Sequence, residues 1–274
     1  MTQSYRLVRG DTPLLISMPH AGVRLAPGME GNLEARARSL LDTDWHIPRL
    51  YDFVETLGCS RLQAEYSRYV IDLNRPADDT PLYAGATTGL FPETDFDGQP
   101  LYQGQGEPSP EARAWALEHV WRPYHQALRA ELERLRQRFG YVVLFDAHSI
   151  RSRVPRLFEG QLPDINLGTF DGASCDPTLA EQLQTICKGQ NDYTWVINGR
   201  FKGGYITRCY GNPADYVHAV QLELSQATYM DEPESDQAYD AASLFPYRAA
   251  RAGCVKPVLE RLLLALTQWR PPQC

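Results

Sequence analysis

Short apolar runs of strand length alternate with helical patterns along the whole chain of 274 residues. Strands are predicted at residues 13–19, 59–64, 69–73, 141–146, 195–198 and 219–224. Helices are predicted at residues 44–57, 109–138, 177–187 and 249–266. Pro123 is expected to kink or split the second of these helices. This alternation favours an α/β fold, a three-layer αβα sandwich, and with no repeat or linker visible the chain 1–274 is predicted to be a single domain.

The charge and hydropathy of the chain argue against two classes of partner. A net charge of -7 argues against nucleic-acid binding by a basic face. Residues 1–11 lack the apolar core of a signal peptide, and the most apolar stretch, residues 255–266, is interrupted by Lys256, Glu260 and Arg261. We therefore expect a soluble, cytoplasmic protein without membrane or nucleic-acid partners, whose oligomeric state the sequence leaves open.

Two histidines stand at the ends of predicted strands. His20 follows the run 13–19 directly, and His148 comes two residues after the run 141–146. Neutral imidazole is a favoured zinc ligand, and catalytic zinc sites combine three protein ligands with an open position. Either histidine alone is more simply a hydrogen-bonded core residue, but two in the same context favour a metal site.

The third metal ligand stays open among three aspartates. Asp146 shares a strand face with His148, so it could orient that histidine or bind the metal itself. Asp42 lies just before the predicted helix 44–57 and Asp44 is its first residue, so either could bind the metal or cap the helix.

Other charged residues suggest an acidic substrate and a general base. Glu223 interrupts an apolar strand, where it either faces solvent or acts as general base beside a metal. Arg75 follows a predicted strand and precedes a proline, which favours an extended backbone. Arginine pairs with carboxylates in a bidentate manner, so Arg68, Arg75 and Arg208 are candidates for binding an anionic substrate, with surface ion pairs as the ordinary alternative.

Six short runs, in order, resemble the N-formylglutamate amidohydrolase (deformylase) family. The runs are residues 17–22, 42–45, 66–76, 146–149, 203–208 and 221–223. The resemblance implies hydrolysis of N-formyl-L-glutamate, a small dicarboxylate, to formate and L-glutamate, the last step of one bacterial histidine-degradation route. It also implies a mixed, twisted sheet between helix layers, similar to the fold of the zinc carboxypeptidases.

The resemblance further implies roles for individual residues. His20 and His148 resemble the zinc ligands, Asn74 and Arg75 a clamp for a substrate carboxylate, and Glu223 the general base. In the hypothesised mechanism, Arg208 or Arg68 holds the second carboxylate or steadies the oxyanion, and Gly204 is a further candidate substrate-binding residue.

The chain departs from the expected pattern at two positions. The third residue after the first histidine is Val23 in place of the acidic ligand of carboxypeptidases, so Asp44 is the preferred third zinc ligand and Asp146 the second choice. Cys209 stands where a family histidine is expected after Arg208.

Two other functions are compatible with the same residues. One is another amide hydrolase, such as an N-acyl amino-acid deacylase or a small carboxypeptidase. The other is a non-catalytic protein that binds glutamate-like ligands.

The segment 76–108 is long for a connection and could close over a site as a lid.

Overall fold

The computed structural model describes residues 3–82, 88–104, 107–233 and 245–272. Within these ranges seven strands form one sheet in the order β1-β3-β2-β4-β7-β5-β6. The strands are β1 (Tyr5–Val8), β2 (Leu14–Met18), β3 (Ser60–Ala64), β4 (Val142–Ile150), β5 (Ile165–Gly168), β6 (Trp195–Ile197) and β7 (Val217–Ser225). The central strands β3, β2, β4 and β7 are parallel, whereas β1 and β5 run antiparallel to β3 and β7. The predicted mixed sheet is confirmed.

Helices cover both faces of the sheet. They are α1 (Ile47–Leu50), α2 (Pro110–Ala116), α3 (Arg122–Phe139), α4 (Pro177–Lys188), α5 (Tyr205–Tyr210) and α6 (Ala249–Gln268). Because side chains alternate along a strand, Phe145 of β4 packs in the core beneath α1, α4 and α6, while Leu144 packs in the core with α2, α3 and α5. This confirms the three-layer αβα sandwich. Among the described residues, no helix combines the length and apolar character needed to cross a lipid bilayer.

The long helical stretch before β4 is split, as Pro123 predicted. α2 passes into one π-helical turn, Leu117–Trp121, and α3 begins at Arg122 with the proline in its first turn. The backbone N–H of Arg122 donates to the carbonyl oxygen of Leu117, so the π turn carries the helical hydrogen bonding past Pro123, which has no N–H to donate. Ser109 caps the start by accepting from the backbone N–H of Ala112 at 3.2 Å, and Gly140 ends α3 with a φ of 81°.

Two element predictions were wrong. Residues 69–73 form turns instead of a strand, although Val70 and Ile71 are buried, because an apolar run reports burial without fixing the backbone. The predicted helix 44–57 consists of the single turn α1 and a 3-10 turn, Asp52–Glu55. The short elements β1, β5 and α5 were not predicted.

His125 of α3 is a buried histidine whose titration should affect the stability of the fold. Its Nε2 lies 2.9 Å from the carbonyl oxygen of Leu73, and its Nδ1 lies 2.9 Å from the hydroxyl of Tyr210. Burial lowers the pKa of His125 from its usual 6.5 to about 4. Between these pH values the unfolded chain binds a proton that the folded chain does not, so stability falls as the pH is lowered through this window, by about 3 kcal/mol in total.

Urea unfolding of the wild-type protein and of His125→Asn at pH 7 and pH 4 measures this contribution. The stability advantage of the wild type should shrink as the pH falls, because the variant lacks the titrating imidazole. Parallel stability curves for the two proteins would show that His125 titrates in the folded state as it does in the unfolded chain.

Candidate active site

Three chemically reactive side chains meet where the central parallel strands end. His20 follows β2, His148 lies near the end of β4, and Glu223 lies near the end of β7. The strands are neighbours in the sheet, and the register pairs His148 directly with Glu223. The two imidazole rings have centroids 4.8 Å apart. The carboxyl ends of parallel strands are the usual place for a ligand in an open α/β sheet, and here they bring the three groups together.

Asp44 completes a set of three possible metal ligands. Its backbone N–H donates to the carbonyl oxygen of His20 at 3.0 Å, which holds the segment before α1 against the end of β2. Its carboxylate Oδ2 lies 3.1 Å from Nδ1 of His148 and 3.9 Å from Nδ1 of His20. One ligand atom from each of the three residues lies within 4.8 Å of the other two, and all three residues are buried. Two imidazoles and one carboxylate are a known ligand set of catalytic zinc, so these residues fit a divalent metal.

Carboxylates on the far side of both imidazoles direct Nδ1 toward this position. Nε2 of His20 lies 2.7 Å from Asp72 Oδ1, and Nε2 of His148 lies 2.8 Å from Asp146 Oδ2. A carboxylate bonded to the second ring nitrogen is the usual way of orienting a metal-binding histidine. Asp146 also accepts from the hydroxyl of Ser17 at 2.8 Å. The geometry therefore gives Asp146 an orienting position and favours Asp44 as the third ligand.

Asp42, the remaining candidate for the third ligand, contacts a different part of the site. Its Oδ2 accepts from the hydroxyl of Tyr69 at 3.1 Å and from the backbone N–H of Phe96 at 2.9 Å. The Phe96 ring lines the active-site cavity, with the guanidinium carbon of Arg68 4.6 Å from its centroid. Asp42 thus holds the segment that carries Phe96 over the site.

Asp72 lies in the candidate site, although the sequence analysis did not single it out. It bonds His20 through Oδ1, accepts from Arg68 Nη2 through Oδ2 at 2.7 Å, and accepts from the backbone N–H of Asn74 at 2.8 Å. Burial opposes ionisation, yet His20 and Arg68 hold the pKa of Asp72 well below its usual range. The sequence could have indicated Asp72 by its position within an apolar run. A carboxylate among buried neighbours needs hydrogen-bonding or charged partners.

The pKa values of the three central groups are shifted in different directions. Burial lowers the pKa of His20, and the Arg68 guanidinium lowers it further. Burial acts in the same direction on His148, but the carboxylates of Asp146 and Asp44 outweigh it and raise its pKa well above the usual value. Burial raises the pKa of Glu223 to about 8. Such shifts are typical of sites that transfer protons or bind cations.

The site opens into a small cavity. Both histidines and Glu223 line it, together with four of the predicted substrate-binding residues: Arg68, Asn74, Arg75 and Gly204. The segment 76–108, whose lid role was left open, contributes Thr88 and Phe96 to the lining, and its residues 83–87 and 105–106 lie outside the described ranges.

Asn74 and Gly204 fit closely against each other at the inner end of the cavity. Asn74 Nδ2 lies 3.1 Å from Nε2 of His148, and Asn74 Oδ1 accepts from the backbone N–H of Ile206 at 2.8 Å. A Cβ atom at Gly204 would lie 2.3 Å from Asn74 Nδ2, so only glycine fits there. The backbone N–H of Gly204 donates to Gln221 Oε1 at 2.7 Å. Both predicted residues therefore help to position the reactive groups.

Of the three arginines predicted for the site, Arg68 and Arg75 line the cavity and Arg208 does not. Arg75 lines the cavity and donates to the carbonyl oxygens of Thr88 and Asn74 at 2.8 and 2.9 Å. Arg208 is not among the lining residues and donates to the carbonyl oxygens of Gly203 and Leu82 at 2.8 and 3.1 Å.

Arg200 and Cys209 are two further residues to compare with the sequence analysis. Arg200, in the turn after β6, lines the cavity although the sequence analysis passed over it. Arg200 follows a predicted strand closely, and this is the feature by which Arg75 was selected. Cys209 is exposed on α5 and is not a lining residue.

Comparison with known proteins identifies the family of the chain. Residues 12–230 match the family model described as N-formylglutamate amidohydrolase. The chain is 59% identical over 261 residues to the N-formylglutamate deformylase of Pseudomonas putida, covering 95% of this chain and 94% of that protein. It is 58% identical over 261 residues to the N-formylglutamate deformylase of Pseudomonas aeruginosa PAO1, covering 95% of each.

Two crystal structures share the fold. N-formylglutamate amidohydrolase from Ralstonia eutropha JMP134 superposes with a TM-score of 0.77 at 25% identity, covering 97% of this chain and 96% of that one. A gene product from Agrobacterium tumefaciens has a TM-score of 0.70 at 18% identity, covering 96% and 94%.

Proposed function

This chain belongs to the N-formylglutamate amidohydrolase family, and on this basis we propose that it hydrolyses N-formyl-L-glutamate to formate and L-glutamate. The observation that carries the proposal is the His20, Asp44 and His148 set facing Glu223 in a cavity that arginines line. Water adds to the formyl carbon and the C–N bond breaks. The reaction is the last step proposed for one bacterial route of histidine degradation.

His20, Asp44 and His148 would hold the metal, zinc or another divalent transition metal. In this position the ion would polarise the formyl carbonyl and lower the pKa of water, as in other hydrolytic metal sites. Asp72 and Asp146 keep the two imidazoles in the orientation that presents Nδ1 to it.

Glu223 is the proposed general base. Its register position opposite His148 places it beside the ligand set, and its pKa of about 8 lies near neutral pH, where a group exchanges protons efficiently. Glu223 accepts a proton from the attacking water and returns it to the nitrogen of the leaving L-glutamate. Atoms and charge then balance without any further reactant.

The arginines bind and orient the anionic substrate. Arg68 Nη1 lies 3.3 Å from His20 Nδ1, and this proximity supports a role for Arg68 in steadying the negative charge that develops on the formyl oxygen. Arg75 is proposed to hold one substrate carboxylate, with Asn74 beside it. Arg208 stays a predicted catalytic residue, and its bond to the Gly203 carbonyl supports the turn next to Gly204.

Metal removal tests this proposal. The purified protein should contain about one metal ion per chain, and chelation should abolish formate release that zinc then restores. Elemental analysis and a formate assay measure the two quantities, with a zinc-saturated chelator as the control for side effects. A metal-free protein that still released formate would mean that the two histidines act as acid and base. Parallel assays on acetyl and formimino derivatives distinguish this activity from that of a deacylase for larger acyl groups.

A further inference from the structure

Arg200 lines the candidate active-site cavity and is absent from the predicted site. It shares the lining with Arg75 and with the apolar side chains of Leu157 and Phe201. Its Nε donates to the carbonyl oxygen of Leu157 at 2.7 Å, which fixes the direction of the guanidinium. An arginine held in this way is suited to a planar, bidentate partner such as a carboxylate.

The turn that carries Arg200 is fixed by hydrogen bonds on both sides. Asn198 adopts a left-handed backbone with a φ of 51°, and its side chain bonds the backbone N–H and the hydroxyl of Thr169, each at 2.8 Å. After Arg200, the carbonyl oxygen of Lys202 accepts from the backbone N–H of Phe170 at 2.6 Å. Binding groups on segments fixed in this way are pre-organised for a ligand.

Arg75 and Arg200 approach the reactive groups from opposite directions along the sheet. Arg75 belongs to the segment after β3, on one side of the central strands, and Arg200 follows the edge strand β6 on their other side. Between β3 and β6 lie the strands that carry both histidines and Glu223, with neighbouring strands about 4.8 Å apart. Arg75 is also adjacent in sequence to Asn74, which contacts His148 directly. On this strand order and on the contact of its neighbour Asn74, Arg75 is assigned to the end of the cavity nearer the reacting amide and Arg200 to the other end.

The two carboxylates of N-formyl-L-glutamate also differ in their distance from the reacting amide. The α-carboxylate is attached to the carbon that bears the formylated nitrogen, and the side-chain carboxylate is two methylene groups further away. We propose that Arg200 binds the side-chain carboxylate while Arg75 holds the α-carboxylate, which makes Arg200 the residue that selects a dicarboxylic amino acid. This assignment rests on the proposed function and names the determinant of its substrate class.

Formate release from N-formyl-L-glutamate and from its neutral isostere N-formyl-L-glutamine tests the assignment on the metal-loaded, full-length enzyme. In Arg200→Gln, kcat/KM for the glutamate derivative should fall by about 10- to 100-fold, mainly through KM, as expected for a lost hydrogen bond to a charged group. The value for the glutamine derivative should hardly change, so the selectivity ratio collapses. Arg200→Lys should restore part of the selectivity. Arg153→Gln, at an exposed arginine that donates to Gln161, is the matched control and should retain both activities.

An equal loss on both substrates would mean a structural role for Arg200 and would overturn the assignment. A collapse of selectivity in Arg208→Gln but not in Arg200→Gln would overturn it in favour of Arg208. Calorimetric binding of L-glutamate and L-glutamine separates this question from the proposed function. If the wild type releases no formate, the proposed function fails, and the assignment then depends on whether Arg200→Gln loses the preference for glutamate. Unchanged preference, or no glutamate binding by the wild type, would overturn it.

Discussion

Glu223→Gln should lower kcat for formate release by about 10²- to 10⁴-fold while leaving the metal content unchanged. The amide of glutamine matches the shape of the carboxylate but cannot accept a proton from water. Glu223 lies outside the group of His20, Asp44 and His148, so the ligand set stays complete. Steady-state kinetics and elemental analysis of the same preparation measure both quantities.

A matched control is Glu181→Gln, at an exposed position on α4, which should behave as the wild type. Full turnover in Glu223→Gln would exclude the general-base role. A loss of metal from this variant would instead make Glu223 a ligand and would contradict the proposed division of roles.

Asp44→Asn should bind no stoichiometric metal and should show no zinc-restorable activity, because one of three protein ligands loses its charge. Asp146→Asn should keep the metal with an affinity reduced by about 10- to 100-fold, since it loses only the carboxylate that orients His148. Asp42→Asn should bind metal as the wild type does, because Asp42 contacts Tyr69 and Phe96.

Competition with a chromogenic chelator gives the three affinities, and circular dichroism confirms that each variant is folded. This series tests all three aspartates that the sequence leaves open. The opposite ranking, with metal retained in Asp44→Asn and lost in Asp146→Asn, would make Asp146 the ligand.

The sequence predicted the central part of the site because the end of a buried strand can be recognised from the end of an apolar run. His20 and His148 each follow an apolar run, and such runs end at one edge of a parallel sheet. Asp72 and Arg200 could not be placed in this way. Asp72 lies in the segment 69–73, whose apolar pattern predicted a strand where the chain forms turns. The contacts of Arg200 depend on how the turn after β6 folds against Thr169 and Leu157.

Arg208 illustrates a second limit of sequence reasoning. A motif shows that an arginine is present without showing which way its side chain points. The segment around Arg208 forms the helix α5, and the guanidinium there bonds backbone carbonyls at Gly203 and Leu82. Helix α5 is only six residues long, too short for a periodic pattern to reveal it.

Because of the register between β4 and β7, the number of residues in these strands determines whether the reactive side chains meet. His148 lies directly opposite Glu223, and both lie on the face toward α3, because Leu144 and Ala219 at even spacing pack in that core. A single inserted or deleted residue within either strand would turn one of the two reactive groups to the opposite face of the sheet. Insertions and deletions within these two strands are therefore incompatible with the pairing of His148 and Glu223.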